Sequence, residues 1–431
     1  MRVFRSLPPS TLRNLALMFG AAFCFWSSLT ILLPTLPLYI EATGATQQQV
    51  GLVMGSFSIG LLLTRGLFGH WADVWSRKVV LLIGTAMVGL APLGYSFVQS
   101  LPLLVLLRAA HGLSIAGFTT GYSTLVIDLA PRSQRGEILG YMTLVMPIGM
   151  ALGPALGGGL LETPGGFGLV FGVAATLGLL ACGGISLVRE APRNRPTSPV
   201  AAMPSPQGAT QATAPAWYQT LIGTYVQQFS SGRRLQIPAL VLLMIGMVFG
   251  TLVAFLPAYV RDSGIAMNVG LFYTMVAIGS FTVRVAVGKA SDRWGRGPFI
   301  TLSLLFYLAS MLCLALATQP IHFIVAGLLE GSGAGILIPL MVALVADRSP
   351  VAERGQAFAV CVGGFDLGIG LGGPLMGSLV SALGYRGTFG MAATLAALGL
   401  VIFTTQSSPQ VGRSLRFACG RAADDYAQAS N

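Results

Sequence analysis

The sequence predicts an all-α membrane protein with twelve transmembrane helices in two pseudo-symmetric six-helix bundles. Three observations predict it. Hydrophobic residues make up 54% of the chain and charged residues only 9%, whereas a soluble globular protein carries roughly 25% charged residues. So little charge cannot cover a water-facing surface, and lipid must be the solvent. The apolar residues gather in runs of about 20, the length that crosses a bilayer as a helix. The chain also repeats itself. Arg65, Gly69, Asp73 and Arg77 recur 219 positions later as Arg284, Gly288, Asp292 and Arg296, and Asp128, Arg135 and Gly136 recur as Asp347, Arg354 and Gly355.

Twelve apolar segments qualify in order: 13–40, 47–69, 78–98, 101–124, 135–161, 167–188, 236–260, 267–288, 299–317, 320–346, 355–383 and 386–406. The first is long and is expected to end near Pro34 or Pro37, because proline breaks a helix. Short connections make neighbouring helices antiparallel. Residues 1–188 form the first expected bundle and 236–406 the second, followed by a polar tail, 407–431. The linker, 189–235, holds Pro192, Pro196, Pro199, Pro204, Pro206 and Pro215 among small polar residues, a composition that cannot bury a core. Within it, residues 217–229 repeat an aromatic or aliphatic side chain every fourth position, which fits a short surface helix as well as an ordinary linker. The 56 glycines fit close helix packing in lipid.

The net charge of +11 raises the question of nucleic acid, and its distribution answers it. All but five of the 25 Lys and Arg residues (Arg65, Arg108, Arg261, Arg284 and Arg386) fall in the termini, the linker and alternate short loops. This is the positive-inside pattern of a multi-pass membrane protein, with both termini expected in the cytoplasm. The opposite loops hold Arg261 and Arg386 with Glu41, Glu162 and Asp262. The five cysteines show no paired or metal-ligand spacing, and the first apolar run is too long for a signal peptide.

Duplicated sets of spanning helices mark secondary transporters, with the substrate site where the halves meet. The loop after the second span reads Gly69-His-Trp-Ala-Asp73-Val-Trp-Ser-Arg77-Lys78, and its copy reads Gly288-Lys-Ala-Ser-Asp292-Arg293-Trp-Gly-Arg296. These resemble the hallmark loop of the major facilitator superfamily, G-x-L-A-D-R-x-G-R-K. The first copy departs at Val74 and Ser76. In the family such loops form a latch that makes and breaks with conformation. The glycine is expected to let its helix approach a neighbour closely.

The resemblance extends to Arg108-Ala-Ala-His111-Gly112 in the fourth span, similar to the family's R-x-x-x-G. It also extends to Gly149-Met-Ala-Leu-Gly153-Pro154-Ala-Leu-Gly157-Gly158 in the fifth span, which matches the family's antiporter motif G-x-x-x-G-P-x-x-G-G at every fixed position. That motif implies export coupled to proton entry; tight helix packing is the plainer reading. A related run, Gly368 to Pro374, lies in the eleventh span.

Two acids stand inside predicted spans. Asp366 lies about 16 Å into its helix and Glu330 about 15 Å into its own, near mid-bilayer. The repeat offset maps His111 onto Glu330 and Pro147 onto Asp366. Burial penalises the charged form of a carboxylate, which makes both acids candidate proton carriers. The structural alternative is permanent pairing with Arg108 or with another helix. For Arg108 the alternative is anchoring to backbone carbonyls, and for His111 neutral packing. Arg65 and Arg284, each four residues before a motif glycine, are expected to snorkel to the membrane surface. Phe25, Trp26, Tyr122 and Phe365 either line a cavity or pack.

No phosphate-binding loop, catalytic constellation or metal cluster is present. The expectation is therefore no enzyme, no metal, no cofactor, no nucleic acid and no ATP. It is a transporter acting as a monomer in the cell membrane, with protons and a small molecule as its partners. Proton-coupled efflux of small organic or drug-like molecules is the leading expectation. Proton-coupled import of a sugar, carboxylate or other metabolite is the alternative, and a non-transporting receptor the third.

Overall fold

The structure is a computed structural model that describes residues 7–131, 134–190, 232–350 and 353–427. Most of the expected linker, including 217–229, lies outside them. Among the described residues the chain is helical throughout. The helices are α1 (Pro9–Thr30), α2 (Leu36–Ala42), α3 (Gln47–Val74), α4 (Arg77–Phe97), α5 (Leu101–Leu129), α6 (Arg135–Thr143), α7 (Val145–Leu161) and α8 (Gly166–Ser186), then α9 (Arg233–Asp262), α10 (Val269–Trp294), α11 (Gly297–Ala315), α12 (Pro320–Asp347), α13 (Arg354–Gln406) and α14 (Val411–Ala418).

Four predicted spans are interrupted or joined, each for a local reason. The first is split. α1 ends at Thr30 and α2 restarts at Leu36, because Pro34 and Pro37 supply no backbone donor to the turn before them. The fifth is split between Thr143 and Val145. Pro147 stands four residues after Thr143, so it cannot donate to that carbonyl and its ring crowds it. The eleventh and twelfth run on as α13, turned at Gly384, whose φ of 66° and ψ of 177° leave the helical region and suit a residue without a side chain. Eleven helices among the described residues are long and apolar enough to cross a membrane; α13, broken at Gly384, supplies two crossings.

Packing repeats as the sequence does. Before the linker, α5 packs on α3 and α4, α8 on α1 and α4, and α7 on α1. After it, α12 packs on α10 and α11, and α13 packs on α9 with its first part and on α11 with its second. Two seams join the sets: α3 against α13, and α7 against α10. The tail is more ordered than its polar composition suggests. α14 buries Ser414, Phe417 and Ala418 against α11 and α13. Asp424 accepts two hydrogen bonds, at 2.7 and 2.9 Å, from the fully buried Arg348 guanidinium.

Candidate functional site

The seams consist of backbone laid on backbone. A methyl group added at Gly55 would meet Pro374 at 2.8 Å, one at Gly370 would meet Ser58 at 3.0 Å, and one at Gly377 would meet the Gln47 carbonyl at 2.8 Å. Across the other seam, a methyl at Gly270 would meet the Pro154 carbonyl at 2.5 Å. Where side chains are absent, helices close to this distance. Polar ties reinforce the same end of the molecule, the one away from the basic loops. Arg261 pairs with Glu41 at 2.8 Å, and Asn268 donates to Glu162 at 2.8 Å. The two sets of helices thus close on each other at that end.

Deeper in the α3·α13 seam, Arg65 Nη2 lies 2.8 Å from Asp366 Oδ2. Ser58 sits against Gly370, and Arg65 is two helical turns further on, so the pair crosses the seam toward the basic end. The Asp366 side chain is 8% exposed and that of Arg65 23%. This corrects one expectation: Arg65 turns inward instead of snorkelling. Asp366 takes its charge partner from another helix, α3, and not from Arg108. Arg65 and Asp366 are 301 positions apart, and the repeat copies only one of them. The sequence signal that pointed this way was Asp366 itself: a mid-span acid whose repeat position is a proline.

The remaining mid-depth groups sit inside their own sets of helices. Arg108 is buried over the Phe57 ring, 4.5 Å from its centroid, with Nη1 3.3 Å from His111 Nδ1. Tyr95 Oη is 3.2 Å from the same nitrogen. Arginine can only donate, so Nδ1 accepts and the ring proton belongs on Nε2, which has no partner among the described residues. Glu330 is 1% exposed, and neither carboxylate oxygen has a hydrogen-bond partner among the described residues. Its electrostatic neighbours are Tyr273 of α10 and Tyr307 of α11. His111 and Glu330 therefore occupy equivalent places while their surroundings differ in chemistry. Phe25, Trp26 and Tyr122 are packed in the first-half core, with Phe118 stacked between Phe25 and Tyr122. Phe365 faces Phe249 at 6.0 Å.

At the basic end, Arg77 pairs with Asp128 and donates to the Thr124 carbonyl at 3.0 Å. Its copy, Arg296, pairs with Asp347 at 2.5 Å. Lys78 reaches the Ser186 carbonyl that ends α8 at 2.8 Å and the Val188 carbonyl just beyond it at 2.6 Å, where a cation suits the helix dipole. Arg293 is exposed. The side chains of Asp73 and Asp292, and the surroundings of Gly288, lie outside the described residues. Gly69 departs from expectation: a methyl there would meet nothing within 4 Å, so it brings no helix close in this conformation.

The sequence profile of the Major Facilitator Superfamily matches residues 18–321 and 269–418. The chain belongs to the major facilitator superfamily. It is a multi-pass membrane transporter, not an enzyme. Its relatives include the multi-drug resistance efflux pump PmrA of Streptococcus pneumoniae, 27% identical over 386 residues that cover 87% of this chain and 91% of that one. The multidrug resistance protein MdtG of Escherichia coli is 25% identical over 402 residues, covering 91% and 92%. Among solved structures, the nucleoside transporter NupG superposes with a TM-score of 0.71 at 16% identity, covering 92% of this chain and 99% of that one. A bacterial homologue of the human lysosomal transporter Spinster, inward-facing and unoccupied, gives 0.67 at 14% identity, covering 99% and 100%.

Within this major facilitator chain, the antiporter-type motif is a two-sided packing surface. Gly149, Gly153 and Gly157 meet α1 at Trp26, Ser27, Thr30 and Ile31, while Pro154 and Gly158 meet α10 at Gly270 and Asn268. Thr30 also donates to the Gly149 carbonyl at 3.0 Å. α13 repeats the scheme, with Gly368 and Gly372 against α9 and Gly373 and Gly377 against α3. The departure at Ser76 has a structural use: its hydroxyl accepts from Val79 N, capping α4, and donates to Glu190 at 2.6 Å.

Proposed function

We propose that this transporter is a proton-coupled antiporter that exports small organic or drug-like molecules by alternating access. The observation that carries this reading is the Arg65–Asp366 ion pair, which joins helices from the two halves near mid-depth. A proton arriving on Asp366 removes the charge that Arg65 faces and weakens the only charged tie described in that seam. The halves, 1–188 and 236–406, then rock about the midplane, and the substrate is exposed to the other side. No cofactor takes part; the proton gradient is the energy source, and the protein works as a monomer. The basic loops and both termini face the cytoplasm by the positive-inside rule, which makes closure at the Glu41 and Arg261 end an inward-facing arrangement.

Export is favoured over import by one relative named as a multi-drug resistance efflux pump and another named as a multidrug resistance protein, and by the match of Gly149 to Gly158 to the antiporter motif. Transport in proteoliposomes under an imposed pH gradient tests the reading. Wild type is expected to move substrate against the proton flux, and Asp366→Asn to lose uphill movement while retaining substrate exchange at equal pH. Wild-type rates in Asp366→Asn would remove Asp366 from the coupling. Proton-driven accumulation on the proton-receiving side would replace antiport by import.

A further inference from the structure

The two seams carry the same arginine but not the same acid. Arg65 of α3 recurs as Arg284 of α10, and Asp366 of α13 falls on Pro147 of α7. Between Val145 and Leu161, α7 has no charged residue. Among the described residues Arg284 makes no ion pair or hydrogen bond, and it is exposed.

The direction of that exposure follows from the helix. α10 meets α7 along the line of Gly270, and α12 along the line of Phe272, Val276 and Gly279. The wide arc between these lines bears Ile278, Phe281 and Val285, all exposed and apolar, and faces lipid. The narrow arc bears Tyr273, Ala277, Ser280 and Arg284 at positions i, i+4, i+7 and i+11, a single helical stripe. The first three are buried, Ser280 against Gly335 of α12. Arg284 is where this inward stripe emerges into open space. Across the seam, Pro147, Met150, Pro154 and Gly158 share one face of α7, which meets α10 through Pro154 and Gly158.

The charges inside the spans do not balance around it. Asp366 is matched by Arg65, and Glu330 is sealed beside Tyr273 and Tyr307. An arginine within an apolar span is costly unless it faces a water-filled cavity or a partner. A guanidinium is also suited to a planar oxyanion, through charge-assisted paired hydrogen bonds.

We infer that Arg284 is the charge-recognising residue of the substrate site, and that the substrate is an amphipathic organic anion. The anion occupies, in the α7·α10 seam, the place that Asp366 occupies in the α3·α13 seam. Its apolar body lies along the uncharged face of α7, where the flexible Met150 adapts to varied shapes. This inference deepens the transport reading and rests on it for the word substrate, while the anion site is measurable on its own.

The test is equilibrium binding to the full-length protein in nanodiscs of uncharged phospholipid, using 2-naphthoate and the uncharged 2-naphthamide as matched probes. Wild type is expected to bind the carboxylate about tenfold more tightly, as one good charge-assisted contact provides. Arg284→Gln should abolish that preference while leaving amide binding unchanged. Arg284→Lys should keep part of it, which also shows that the site tolerates substitution. Equal binding of both probes by wild type overturns the inference, as does a tenfold preference that survives in Arg284→Gln. Transport separates the two readings. A preference that depends on Arg284, with no pH-driven movement of naphthoate, sinks the antiport reading and leaves the anion site standing. pH-driven transport of uncharged or cationic compounds, with no preference for naphthoate, does the reverse.

Discussion

The α3·α13 and α7·α10 seams descend from one repeated unit and have come to differ in one respect. Both are closed by glycine and proline on backbone, and both have an arginine toward the basic end. In the first, the arginine meets Asp366 within the protein; in the second, the repeat puts Pro147 in the acid's position and the arginine stays exposed. Packing was kept on both sides while charge was supplied on one. A satisfied seam holds itself shut, and an unsatisfied seam can hold something else.

The largest test of this comparison is steric. Gly51 packs against the Gly373 backbone, where neither atom can swing away. Gly51→Val should therefore cost about 1–3 kcal/mol of closure through overpacking, and lower transport about tenfold or more with the folded yield retained. Near-wild-type transport would show that the seam does not need close contact. Gly158→Val should be milder, because the nearest atom is the side-chain oxygen of Asn268, which can move aside at the cost of its hydrogen bonds with Gly270 N and Glu162. A two- to threefold loss is about 0.4–0.7 kcal/mol; equal losses in the two variants would erase the contrast.

Charge transfer between the seams sharpens it further. Pro147→Asp gives Arg284 an acid of its own, and naphthoate binding should fall toward the level of the amide. If the anion still bound as tightly, Arg284 would not be what it meets. The smallest effect belongs to the outer ties. Glu162 and Asn268 meet at an exposed position, so Glu162→Gln should change stability by about 0.5 kcal/mol or less, read as a thermal midpoint in detergent. A large drop would mean that the closed end depends on polar contacts more than on glycine packing.

Much of this was legible in the sequence because lipid imposes a simple code. Runs of about 20 apolar residues marked every crossing, and the 219-residue offset fixed which helices correspond. Breaks were harder. Pro147 ends α6 four residues upstream through a missing donor, and Gly384 turns α13 without interrupting its apolar character. The pairing of Arg65 with Asp366 was not legible, since no periodicity links residues 301 apart and the repeat copies only the arginine. The repeat offset put Glu330 at the position of His111, and both are buried in their own sets of helices. The enclosure of Glu330 by Tyr273 and Tyr307 depends on how three helices rotate about their axes, which composition does not specify. The tail beyond α14 is tied back by a buried ion pair, Arg348 with Asp424, between parts of the chain that read as loop and tail.

The central claim is that the charge on Asp366 decides whether the α3·α13 seam stays shut. Spin labels at His70→Cys and Phe358→Cys, near the basic ends of the two helices and in a background free of native cysteine, would report their separation by pulsed electron resonance. Lowering the pH should shift the distance distribution of the otherwise wild-type protein, and Asp366→Asn should show the shifted distribution at both pH values. An Asp366→Asn variant that still responds to pH as the parent does would place the switch elsewhere.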